Sequence, residues 1–139
     1  MPTENTGTVD VRRDGDVAVV TLRREQKRNA LSTHMEAALL AALGSPEVKS
    51  SRAVVVTGGD SVFSAGADVT ELREMTPEAI AEYYRTSGSV YEALAALPQP
   101  TVSAITGYCL GGGLALALAT DIRVADPAAV FGVPEGGIG

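Results

Sequence analysis

The chain is poor in the groups most enzymes use for chemistry. Its 139 residues include one cysteine, Cys109, one histidine, His34, and no tryptophan. A single cysteine excludes an internal disulfide and any multi-cysteine zinc site, and it suits a reducing compartment. A single histidine excludes a His-rich metal site, so no metal is expected. No GxSxG turn is present to partner His34 in a serine hydrolase. No GxGxxG occurs, and no Lys-Ser/Thr follows any glycine run, so neither a dinucleotide fingerprint nor a phosphate loop is present. Long apolar runs are also missing. The longest, around Leu114–Ala119, ends at Asp121, well short of the roughly 20 residues of a membrane span. The first eight residues, MPTENTGT, carry neither a basic patch nor an apolar run, so no targeting segment is expected. These absences read as a soluble, cytoplasmic protein.

Cations are scarce too. The 11 Lys and Arg face 17 Asp and Glu, a net charge of -6. Such a balance argues against nonspecific binding to nucleic acid or an anionic membrane. A few local cations still suffice for a small anionic ligand. Hydrophobic residues make up 45%, a globular composition, and the length suits one domain burying roughly two-thirds of its unfolded surface.

What is present reads as alternating strands and helices. Val9–Arg13 and Val17–Leu22 flank Asp14-Gly15-Asp16, a hairpin signal. The loop Arg23–Asn29, RREQKRN, is highly charged. Thr33-His34-Met35-Glu36 fits a capping box opening a helix over about 33–43, which stops at Gly44-Ser45-Pro46. Arg52–Thr57 and Thr101–Thr106 are apolar without alternation, the pattern of neighbouring buried strands. Asp68 caps a short helix, and Thr76-Pro77 opens a longer one with Ile80, Tyr83, Tyr84, Val90, Tyr91 and Leu94 in helical period, ending at Pro98. Ile122–Ala125 and Val130–Gly132 are further strands, and Gly136–Gly139 reads as a turn. The recurrence of strand, strand, helix predicts an α/β fold of ββα units. Residues 1–7 are expected to be a flexible N-terminus and 8–139 one core domain.

Two glycine-bearing loops each follow a strand and lead into a helix: Ser64-Ala65-Gly66-Ala67-Asp68 and Leu110-Gly111-Gly112-Gly113. Small residues let a ligand approach the backbone, and a helix start offers unpaired N–H groups. Two such groups aimed at one point make an oxyanion hole able to hold an enolate. Cys109, in the second loop, reads as a small packing residue.

The blocks RREQKRNAL, VVVTGGDSVFSAGADVTEL, PQPTVSAITGYCLGGGLALALATDIRVAD and FGVPEGGIG, in that order, resemble the crotonase superfamily, the enoyl-CoA hydratase/isomerase family. The resemblance runs from about residue 8 to the last. It implies a spiral of ββα units, of which this chain holds the N-terminal half, incomplete at its C-terminus. It implies an acyl-CoA thioester as substrate, with coenzyme A arriving on the substrate and no resident cofactor. It also implies assembly as a homotrimer or hexamer when the C-terminal half is present. By the same resemblance, the N–H groups of Ala67 and Gly112 form the oxyanion hole, and Ala65, Gly66 and Ala67 lie against the adenine end of CoA. Lys27 and Arg28 fall where relatives place basic residues near the CoA phosphates.

The carboxylates bear on the reaction. Hydratases of this family resemble one another in using two glutamates. Here the first position is Ala115, which cannot move a proton, and the second is Glu135. One carboxylate suffices for a 1,3 proton shift, so the pattern favours isomerase chemistry with Glu135 as acid and base. Two alternatives stand beside it: a hydratase, a lyase, whose second acid comes from elsewhere, and a non-catalytic acyl-CoA-binding subunit.

Overall fold

A computed structural model describes residues 6–138. The expected flexible N-terminus lies, over residues 1–5, outside the described residues. Strands β1 (Thr8–Asp14) and β2 (Val17–Arg23) form the expected hairpin, closing on the pair Asp14 and Val17. From β2 onward the sheet is parallel. Its order is β1-β2-β3-β4-β6, with β3 at Ala53–Thr57, β4 at Thr101–Ile105 and β6 at Ile122–Ala125. Parallel neighbours need long crossovers, and helices supply them. These are α1 (Thr33–Leu43) and α2 (Pro46–Lys49) before β3, then α3 (Val69–Glu74), α4 (Pro77–Thr86) and α5 (Ser89–Ala95) before β4. Helix α6 (Gly112–Leu118) precedes β6. A separate two-stranded parallel sheet joins β5 (Tyr108–Leu110) to β7 (Val130–Gly132), and α7 (Glu135–Ile138) follows.

The unalternating valines of β3 and the apolar run of β4 pair as neighbours inside the sheet, as their pattern predicts. One face of each is fully buried and the other half-buried. Helix α1 lays Met35, Leu39, Ala42 and Leu43 on the buried face. They meet Val20, Leu22, Val54, Val56 and Phe63, none of which is measurably exposed. A fully buried side chain of this size stabilises the fold by roughly 1.5–3 kcal/mol relative to leaving it in water.

Four local expectations need correction. The cap of α1 is Ser32, not Thr33: the Ser32 hydroxyl accepts the Met35 N–H at 3.1 Å. That shift puts Met35 where a capping box needs Glu. The helix expected from Thr76 to Pro98 is broken at Ser87-Gly88 into α4 and α5. Both residues are weaker helix formers than alanine, and the break turns Val90 and Leu94 into the core. The stretch after Gly44 is not a simple stop, because Ser45 caps the one-turn helix α2. Glu135–Ile138 forms a one-turn helix, beginning before the turn expected over residues 136–139.

Candidate active site

The charged loop after β2 is more than a solvated surface. Arg24 and Asn29 are buried within it. The Asn29 amide donates to the carbonyls of Gly58, Val62 and Phe63 at 3.0–3.1 Å, and its oxygen accepts the Arg24 N–H at 2.7 Å. The Ser64 hydroxyl donates to the Asn29 carbonyl and accepts the Gly66 N–H. Buried polar groups must be paired, and here the pairing clamps the loop after β3 against the loop after β2. Arg24 also forms a partly buried ion pair with Asp68 at 2.9 Å. Burial alone would raise the Asp68 carboxyl. The Arg24 guanidinium and the backbone N–H groups of Glu71 and Thr70 outweigh it and hold the carboxyl below its usual range. Asp68 caps α3 as predicted, accepting the Glu71 N–H at 3.2 Å.

The two glycine-bearing loops are zipped together. Tyr108 accepts the N–H groups of Phe63 and Ser64, and Leu110 donates to the Ser64 carbonyl at 3.0 Å. Gly66 sits at φ +96, and a Cβ there would stand 2.7 Å from the Leu110 carbonyl and 2.9 Å from the Gly112 nitrogen. Only glycine permits so close an approach at that φ. No hydrogen bond among the described residues takes up the N–H of Ala67 or of Gly112. Two free donors on adjoining loops, one at the start of α6, are suited to a developing oxyanion.

Glu135 reaches the same place from the far end of the chain. Its carboxylate lies so close to Gly111 that a Cβ on Gly111 would collide with it. Ala65, Ala67, Gly112 and Glu135 line one cavity of about 420 Å³, closed on its other side by Val69, Leu72 and three tyrosines, Tyr83, Tyr84 and Tyr91. The predicted catalytic residues are therefore brought together. Ala115 lies one helical turn beyond Gly111, hydrogen-bonded to its carbonyl, and is exposed.

Lys27 and Arg28 are both exposed, on and just after a 3-10 turn at Glu25–Lys27. The Arg28 carbonyl accepts the Ala65 N–H at 2.9 Å, so this cationic loop abuts the first glycine-bearing loop. The Arg28 guanidinium lies 5.7 Å over the Tyr108 ring. Cys109 is buried, and burial pushes its thiol up to about 11, which removes it as a nucleophile. A second hollow of about 310 Å³ opens beside Thr57, Asp60, Thr106 and Asp126 and contains none of these residues.

Several contributors are hidden in the sequence. Arg24 and Asn29 looked like ordinary members of a charged run, although an Asn among six charged or amide residues was a signal of turn chemistry. The helical spacing of the tyrosines carries no sign that they form a cavity wall. Burial pushes the phenols of Tyr83 and Tyr91 up to about 12, with the Glu36 carboxylate the next-largest cause. Glu36 is itself raised to about 7, first by burial and then by Glu71.

The chain is similar in sequence and in fold to proteins already known. Residues 12–139 match the enoyl-CoA hydratase/isomerase family. The short-chain-enoyl-CoA hydratase of Clostridium acetobutylicum is 37% identical over 133 residues, covering 94% of this chain and 51% of the relative. The crystal structure of an enoyl-CoA hydratase from Thermoplasma volcanium superposes with a TM-score of 0.87 at 35% identity, over 94% of this chain and 53% of that one. An enoyl-CoA hydratase from Bacillus anthracis gives 0.85 at 32% identity, over 94% and 52%. The chain belongs to the enoyl-CoA hydratase/isomerase family and has a crotonase-type α/β fold. It spans about half the length of the relatives it matches.

Proposed function

We propose that this chain carries an acyl-CoA site that stabilises a thioester enolate, with isomerase-type proton transfer by Glu135. The observation that supports the reading is the meeting of two unpartnered N–H groups, Ala67 and Gly112, with one carboxylate in one cavity. In this mechanism the thioester oxygen sits between the two N–H groups. Glu135 takes a proton from C2 of a 3-enoyl-CoA, and the electron pair moves onto the thioester oxygen. The carboxylic acid so formed returns the proton at C4, leaving the 2-enoyl-CoA. Lys27 and Arg28 supply a local positive patch for the CoA phosphates in an otherwise acidic protein. Assembly as a homotrimer or hexamer belongs to the same proposal and is read by sedimentation velocity.

Hydration is the second reading, favoured by the hydratase names of the relatives. It needs a further acid or base for water, and position 115 offers a methyl group. Assays with 3-enoyl-CoA and 2-enoyl-CoA separate the two. Isomerisation should exceed hydration, and Glu135→Gln should lower it about 10²–10⁴-fold, the usual worth of a positioned acid/base. Brisk hydration without isomerisation overturns the single-carboxylate argument. Binding of both substrates with neither reaction leaves a non-catalytic acyl-CoA-binding subunit.

A further inference from the structure

The cavity wall carries a polar group that the mechanism above does not use. Tyr91 projects from α5 into the cavity. The point where a Cβ on Gly112 would stand lies 2.9 Å from the Tyr91 hydroxyl and 3.6 Å from the Ala67 nitrogen. The hydroxyl and the Ala67 N–H therefore border the same point beside Gly112. No described residue hydrogen-bonds to it. Its ring is held from behind, since α5 is anchored in the core by Val90 and Leu94. A phenol is a donor as well as an acceptor. A half-buried phenol without a partner, next to two unpartnered N–H groups, makes a third donor to the same small volume.

We propose that Tyr91 is a catalytic residue whose hydroxyl donates a third hydrogen bond to the thioester oxygen as the enolate forms. The proposal rests on the enolate reading and deepens it. As Glu135 removes the C2 proton, negative charge gathers on the oxygen, and the O–H bond of Tyr91 shortens its contact without breaking. No proton leaves the tyrosine. Burial, Glu36, Tyr83 and Glu135 in that order raise the phenol to about 12, which keeps it protonated, and a donor, throughout the neutral range. The oxygen thus meets two fixed backbone dipoles and one side-chain dipole in a cavity whose wall is mainly apolar and aromatic, where such dipoles act most strongly.

The test is exchange at C2. A saturated acyl-CoA such as butanoyl-CoA cannot isomerise, but in D₂O its C2 protons exchange whenever the enolate forms. The full chain and its Tyr91→Phe variant are compared by NMR of recovered substrate, with butanoyl-CoA affinity measured calorimetrically alongside. The variant should lose at most a few-fold in butanoyl-CoA affinity and exchange it about 10²-fold more slowly, the lower range for removing one oxyanion donor. It should also lose affinity for the enolate of acetoacetyl-CoA, read by its ultraviolet absorbance, by a larger factor than for butanoyl-CoA. Equal exchange in parent and variant overturns the role of Tyr91 and leaves the enolate reading intact. Faster exchange in the variant overturns it as well, and makes the hydroxyl an obstruction. No exchange by the parent overturns both. Should Tyr91→Phe melt far below the parent, the ratio of the two affinities, taken at low temperature, decides in the same way.

Discussion

The two sides of the site are held very differently. Ala67 and Gly112 ride on loops clamped by Asn29, Ser64, Tyr108 and the Arg24–Asp68 pair, directly above a core in which Phe63 has no exposed surface. Glu135 rides on a single exposed helical turn. The strand leading to it holds Val130 at 48% and Phe131 at 49% exposure, and Val133 follows at 65%. Neighbouring β6 is exposed along its whole length. The two proposed oxyanion donors are thus preorganised by this chain's own packing, whereas the proposed base sits on a segment that, among the described residues, buries little. Preorganisation matters most for the groups that meet developing charge, because they must not reorient during the reaction. The proposed base is held by the backbone next to it. Here Gly111 does this by admitting the carboxylate against its α-carbon.

The chain's two phenylalanines turn this contrast into an experiment. Phe63→Ala should cost about 3–5 kcal/mol, the usual range for a fully buried ring, read from urea unfolding. A loss below 1 kcal/mol would mean that the clamped region is not the stable one. Asn29→Ala comes next, at about 2–3 kcal/mol. It strips the partners from three buried carbonyls and one N–H, and each unsatisfied buried group is costly. Butanoyl-CoA binding should weaken with it, since Ala65–Ala67 loses its support. Unchanged binding would show that the loop is held by other means.

The Glu36 effect is smaller and depends on pH. Its folded pKa, about 7, lies above the ordinary value of 4.5. The stability it contributes is complete below pH 4.5, falls as pH rises towards 7, and is gone above that. The protein should therefore melt higher at pH 5 than this carboxylate allows at pH 8. Glu36→Gln should shrink that difference by a few degrees at most, because the group is only half-buried. An undiminished difference in the variant would assign the pH dependence to other carboxylates. The smallest effect belongs to Phe131→Ala, which should change stability by about 0.5 kcal/mol or less. A loss approaching that of Phe63→Ala would erase the contrast between the two regions.

Much of this was legible in the residues. Strands such as Ala53–Thr57 and helices such as Thr33–Leu43 follow from local composition and periodicity, and caps such as Asp68 from a residue and the N–H three places on. The two glycine-bearing loops and Glu135 were legible as motif positions, and the cavity brings them together. The sequence by itself thus determined which segments form elements, which loops can admit a ligand and which carboxylate is available. Only the tertiary structure decided that Asn29 meets residues 58–63, that Arg24 meets Asp68, and that Tyr91 stands beside Gly112. It also decided that Glu71 comes near enough to Glu36 to help raise its carboxyl. These partners are tens of residues apart or on different elements. No local pattern encodes such a meeting, because it is set by how helices cross the sheet and how closely two glycine-bearing turns can pack.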